Sequence, residues 1–142
     1  MKEELGNPVE QGTEALTIAE CERRLSDGGV GILALTGVAE PVLRPVNFAF
    51  HNGAVLIRTG EGQILEAAVA SEPASFVIMA VDRLEHTGWS VIVTGALSER
   101  SNASVGADVP LRAWARAEKH HFVGLSTDRI SGRRIAEGFG GD

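Results

Sequence analysis

Residues 43–63, LRPVNFAFHNGAVLIRTGEGQ, decide the fold. Two apolar runs of strand character, LRPVNFAF and AVLIRT, flank His51-Asn52-Gly53. Asn-Gly between such runs is a strong hairpin signal, because both residues accept the positive φ that a type I′ turn requires. The chain is therefore building antiparallel sheet. Alternation sends Arg44, Val46, Phe48 and Phe50 to one face and Leu43, Asn47 and Ala49 to the other. Pro45 has no N–H to give to a ladder, so its strand is expected at an edge or a bulge, with unpaired peptide groups nearby.

Working outward, the apolar period stays near two in VGILALT (30–36) before this hairpin, and after it in ASFVIMAV (74–81), WSVIVTGAL (89–97) and HFVGLS (121–126). With the two hairpin strands these make six, and the first five read as a meander. Helical period appears in three places. LTIAECERRLSDGG (16–29) opens with a capping box, Thr17 and Glu20, and closes on Gly28-Gly29; Leu16 and Cys21 are placed as a hydrophobic staple, and Ile18, Cys21 and Leu25 are expected on its inner face. GQILEAAVASE (62–72) reads as about two turns ending before Pro73, and VPLRAWARAEKH (109–120) as a helix with Pro110 in its first turn. DRLEHTG (82–88) and ERSNASVGAD (99–108) are loops, and TDRISGRRI (127–135) follows the last strand as a turn at Gly132. Six antiparallel strands with short helices at irregular intervals predict a mainly β chain: a small closed or split barrel with helices at its rim. Doubly wound α/β is the less favoured alternative.

The 142 residues, 44% hydrophobic and 23% charged, suit one domain, expected over 14–136 between a loose arm (1–13) and a loose tail (137–142). A formal charge of −6 argues against a general nucleic-acid binder, which needs a broad basic face. No stretch resembles a membrane span or a signal peptide, and Cys21 is the sole cysteine, so a cytoplasmic location is expected. The four histidines, His51, His86, His120 and His121, do not stand at spacings that aim two at one metal, and no metal site is expected. No nucleophile elbow, dinucleotide fingerprint or P-loop is present, and no residue is assigned to catalysis.

The end of the hairpin carries chemistry of its own. Arg58 closes a strand, Thr59 offers a hydroxyl, Gly60 and Gly62 leave backbone amides accessible, and Gln63 adds an amide where a helix begins. These are parts of an anion site: a guanidinium fork meets an oxyanion with charge-assisted bonds, and a phosphate ester brings roughly −1.5 to −2 charges. Glu61 inside the loop favours the simpler alternative, a surface arginine followed by a glycine turn. Asn47, a polar amide among apolar neighbours, needs a partner if buried, and a planar heterocycle edged with oxygens and nitrogens would suit it.

The run RPVNFAFHNGAVLIRTGEGQILEAA, followed by FVIMAVDRLEHTGWSVIVTGAL and then ISGRRI, closely resembles the pyridoxamine 5′-phosphate oxidase-like family of flavin-binding split barrels, in particular its small actinobacterial-type members. The resemblance spans the first helix to about residue 135. It implies an FMN-binding split barrel that forms a homodimer with the cofactor at the subunit interface and acts on a small-molecule substrate, with F420 as the alternative cofactor. On this chain it implies Pro45, Val46 and Asn47 beside the ring, Arg58 and Thr59 on the phosphate, and Trp89 and Ser90 from a G-W-S motif near the barrel mouth. One of Arg133 and Arg134, with Arg133 taken as the candidate, would reach the partner subunit's cofactor, the alternative being a solvated pair, and for Trp89 the alternative is an anchor of the core or of the dimer interface. Gln63 stands where the family has lysine, so a neutral amide replaces a cation. The chain lacks the R-L-H-D-R type motif by which pyridoxamine-phosphate oxidases hold their substrate, so vitamin B6 oxidation is not the first expectation. The expected function is an oxidoreductase moving a hydride between flavin or F420 and a small acceptor. The alternatives are a flavin-binding or sensing module without turnover and, less favoured, a haem binder using His120 or His121.

Overall fold

The computed structural model describes residues 13–101 and 121–135; the expected helix at 109–120, with His120, and most of the expected arm and the tail lie outside them. Ten elements follow in chain order: β1 (Thr13–Ala15), α1 (Ile18–Ser26), β2 (Gly29–Leu35), β3 (Val42–His51), β4 (Ala54–Thr59), α2 (Gln63–Val69), β5 (Pro73–Asp82), β6 (Thr87–Arg100), β7 (His121–Ser126) and β8 (Arg129–Ile135). All pairings are antiparallel, and the strands run in the order β1-β8-β6-β5-β2-β3-β4-β7. A further β6–β7 pairing closes six of them, β6-β5-β2-β3-β4-β7, into a barrel. These are the six strands the sequence predicts, and the fold is a split barrel with short helices.

Closure depends on one bend in β6. Its first half, Gly88–Thr94, pairs with β8, and its last four residues, Leu97–Arg100, pair with β7. Between them, Gly95 lies so close to Ser126 that a Cβ would collide with the Ser126 carbonyl oxygen. The Ser126 hydroxyl accepts from the Ala96 amide at 3.0 Å, which pins the seam. The interior is filled by alternate residues of every barrel strand, among them Leu33, Phe48, Val55, Ile57, Phe76, Val91, Val93, Val123 and Leu125. Phe48 and Phe76 meet edge to face with centroids 4.9 Å apart. Leu65 and Ala68 of α2 complete this core at one end of the barrel.

The β3–β4 hairpin forms at Asn52 (φ 51) and Gly53 (φ 74), and α1 has both halves of its capping box, Glu20 N–H to Thr17 Oγ1 at 3.1 Å and Thr17 N–H to Glu20 Oε1 at 2.8 Å. Leu16 and Cys21 are both buried, as the staple requires. Three expectations change. Ile18 is exposed, and Leu16 joins Cys21 and Leu25 in the core instead. The five strands are not a meander: after α2 the chain crosses so that β5 pairs with β2, because β4 is already paired with β7. TDRISGRRI is a strand, not a turn: it pairs with seven residues of β6, and Gly132 lies within it, where a Cβ would meet Cys21 Sγ and Leu16 Cδ1. Thr13, the last residue of the expected arm, begins β1 on the outer edge of that strand.

Candidate functional site

The barrel is split between β3 and β4. Their ladder ends at Ala49↔Leu56. Beyond that rung, Val42–Phe48 pair only with β2, while Ile57, Arg58 and Thr59 pair only with β7. Along this gap each strand has a neighbour on one side, so peptide groups on the facing edges are open to another partner. Pro45 sits in this stretch, opposite Ile32 of β2, where a missing N–H on the open side removes no rung. The edge position inferred from Pro45 is what the fold provides.

Pleating decides which side chains reach the gap. Ala49 and Leu56 face outward from the barrel, and Asn47 and Arg58 lie two residues from them along their strands, on that same outer side. Arg58 is half-buried, its guanidinium carbon 5.9 Å from the centroid of the Phe122 ring across the β4–β7 ladder. Val46 turns inward and is 9% exposed, so only its backbone can serve a ligand. Thr59 also turns inward, is buried, and holds its hydroxyl 3.3 Å from the carbonyl oxygen of Gly60.

The loop from Gly60 to Gly62 is flanked by side chains from distant strands. Arg44, on the inward side of β3, donates from Nη2 to Gln63 Oε1 at 2.8 Å and from Nη1 to the Leu43 carbonyl. His121, opposite Thr59 on β7, is bridged by two carboxylates: Nδ1 lies 3.1 Å from Glu99 and Nε2 3.2 Å from Glu61. The hydrogen bond to Glu99 is the largest effect and raises the His121 pKa above 6.5; desolvation opposes it, and the hydrogen bond to Glu61 adds to the rise. Glu61, whose charge weighs against an anion, is thus engaged by a cationic partner whenever His121 is protonated. α2 has only seven residues and no side-chain cap at Gly62, so its end adds little field and the charge must come from side chains. Sequence reasoning missed Arg44 and His121 as part of this site. For Arg44 the available signal was a cation at an inward position of an otherwise apolar strand.

The remaining expected residues fall in two places. Ser90 and Arg133 are cross-strand partners on the outer sheet face, the face that carries Pro45 and Asn47. The row Pro45–Ile32–Val77–Ile92–Ser131 crosses that face in four interstrand steps, about 19 Å at roughly 4.8 Å each. Arg133 thus stands on the fourth strand along this face from Pro45. Trp89 points to the opposite side, toward α1, where the Arg24 guanidinium lies 4.6 Å from its ring centroid. There it lines an open cavity of about 560 Å³ with Asp82 and Arg134, and the Arg134 charge is met by Glu14 at 3.1 Å and Glu20 at 3.8 Å. The structure therefore separates Trp89 from Ser90 and from the split. Among the described residues no group of three or more His, Cys, Asp or Glu could hold a metal ion, and no helix is long and apolar enough to cross a membrane.

The profile of the pyridoxamine 5′-phosphate oxidase family matches residues 17–134. An uncharacterized protein of Mycobacterium tuberculosis is 31% identical over 123 residues, which cover 82% of this chain and 81% of the relative. The FAD binding protein from Mycobacterium smegmatis is 30% identical, with a TM-score of 0.71 over 86% of this chain and 98% of its own. The FAD and heme binding protein from the same organism shares the fold, with a TM-score of 0.67 at 18% identity over 93% of this chain and 77% of its own. The chain belongs to the pyridoxamine 5′-phosphate oxidase family.

Proposed function

We propose that this member of the family is a flavin-binding oxidoreductase of the cytoplasm that holds FMN, or alternatively F420, at the β3–β4 split. The observation that carries the proposal is the open edge itself: Arg58 and Thr59 end one strand exactly where the facing strand, Val46–Asn47, also loses its ladder partner. Arg58 would meet the phosphate with the loop amides, Thr59 could contribute only through its backbone because its hydroxyl is turned inward onto Gly60, and the backbone of Val46 and Asn47 would meet the polar edge of the ring. Resemblance to a FAD binding protein at 30% identity supports a flavin. Bound there, a flavin or deazaflavin supplies hydride transfer to or from a small acceptor, while the protein orients the ring and excludes water.

The working unit would be a homodimer with the cofactor at the subunit boundary. The outer face beside Pro45 and Asn47 exposes Val30, Ile32, Leu43, Met79 and Ile92 together, a large apolar patch for a free surface. A second copy on this face would also bring its Arg133 toward a ring held near Pro45, since within one subunit the two lie four strands apart along the face. Titration of the purified protein with FMN, FAD and F420, followed in the visible spectrum, tests the proposal. A perturbed flavin or deazaflavin band with saturable binding is expected, and no binding of any of the three overturns it. The neutral Gln63 where the family has lysine, together with the lack of a substrate motif, favours a second reading, a flavin-holding module without turnover. Bleaching of the bound flavin by NAD(P)H or reduced F420 separates the two.

A further inference from the structure

We infer that Arg44 is the second guanidinium of the phosphate site, placed there by Gln63. The inference rests on the proposal that a phosphate ester occupies the split. Such an ester brings about −1.5 to −2 charges. The local sequence of the loop offers one cation, Arg58, against the carboxylate of Glu61, and Glu66 and Glu72 line a small cavity beside Gln63. With the short α2 contributing little, a dianion there lacks compensation unless a further positive charge arrives from elsewhere in the fold.

Arg44 provides it. Its guanidinium has donors only, so the Gln63 atom facing it at 2.8 Å must be the carbonyl oxygen, and the amide orientation is fixed by chemistry. That orientation leaves the Gln63 NH₂ donors for another acceptor. One further Arg44 donor goes to the Leu43 carbonyl, and three of the guanidinium's five N–H groups stay available. Arg44 is exposed and has no carboxylate partner among the described residues, so its charge is not already cancelled. A neutral glutamine in this position thereby holds a cation from β3 where its own side chain carries none.

Dissociation constants of the full chain for FMN and for riboflavin, which has the same ring and no phosphate, test this. Arg44→Ala is expected to weaken FMN about ten-fold or more, the scale of one charge-assisted contact, and to leave riboflavin within about two-fold. Gln63→Lys in the Arg44→Ala background should recover most of the lost FMN affinity, because it restores a cation at that place. Equal weakening of FMN and riboflavin by Arg44→Ala overturns the inference, as does an unchanged FMN constant. An unchanged constant alongside a strong loss in Arg58→Ala removes Arg44 alone and leaves the phosphate site standing. If Arg58→Ala also leaves FMN binding unchanged, both fall.

Discussion

Arg58 is the side chain on which the proposed phosphate site turns. Arg58→Ala should weaken FMN by about 1.5–3 kcal/mol, the worth of a hydrogen bond to a charged group, while riboflavin binding holds; titration of both ligands checks it. His121 adds a pH dependence. Its pKa is raised by Glu99 and Glu61, so its stabilising bridge is complete below pH 6.5 and is lost as pH rises through the raised value. Over that rise Glu61 recovers an uncompensated charge, whereas the phosphate, with a second pKa near about 6, is already a dianion. FMN affinity should therefore fall as pH rises above 6.5 through the raised His121 value, and the fall should vanish in His121→Gln, as read from binding constants across that range. The place of Arg58 and Thr59 at the end of a strand was legible because they adjoin the hairpin in sequence. Arg44 and His121 were not, since they stand 19 residues from Gln63 and 60 residues from Glu61, and only the folded barrel brings them to the loop.

Elements whose information is local were read correctly. The Thr17–Glu20 box and the Asn52-Gly53 turn each concern a few consecutive residues, and both form as expected. Thr17→Ala removes the acceptor for the Glu20 amide and should cost about 1 kcal/mol in urea unfolding with an unchanged m value. The β6–β7 seam is a different kind of feature. Nothing in TGAL announces a bend, because the bend exists only where Ser126 comes against Gly95. Gly95→Ala should lower stability by about 1–3 kcal/mol through overpacking, visible as a lower urea midpoint. β8 was misread for a related reason: Arg, Ser and Gly in RISGRRI look like a turn, yet β6 offers an unfilled edge, and seven backbone rungs outweigh weak strand propensity.

At the scale of the whole molecule, the asymmetry of the barrel's surface matters most. One sheet face exposes Ile32 at 42%, Ile92 at 44% and Met79 at 63%, although the chain carries a formal charge of −6 and is otherwise well supplied with polar groups. The row through Ile32 runs from Pro45 at the split toward the strand that bears Arg133, so the apolar patch and the candidate site are continuous. A charge placed at Ile32 meets solvent in an isolated subunit and costs little there, but it is buried without a partner if a second copy covers this face. Ile32→Asp should therefore convert a dimer to a monomer in sedimentation velocity while the urea midpoint of the monomer stays near that expected for the fold. FMN binding should drop with it if the cofactor straddles the boundary, because Arg133 and the far end of the sheet are then withdrawn from the site. A dimer that survives Ile32→Asp places the interface on another face, and a monomer that still binds FMN at full strength shows that one subunit suffices to hold the phosphate and ring.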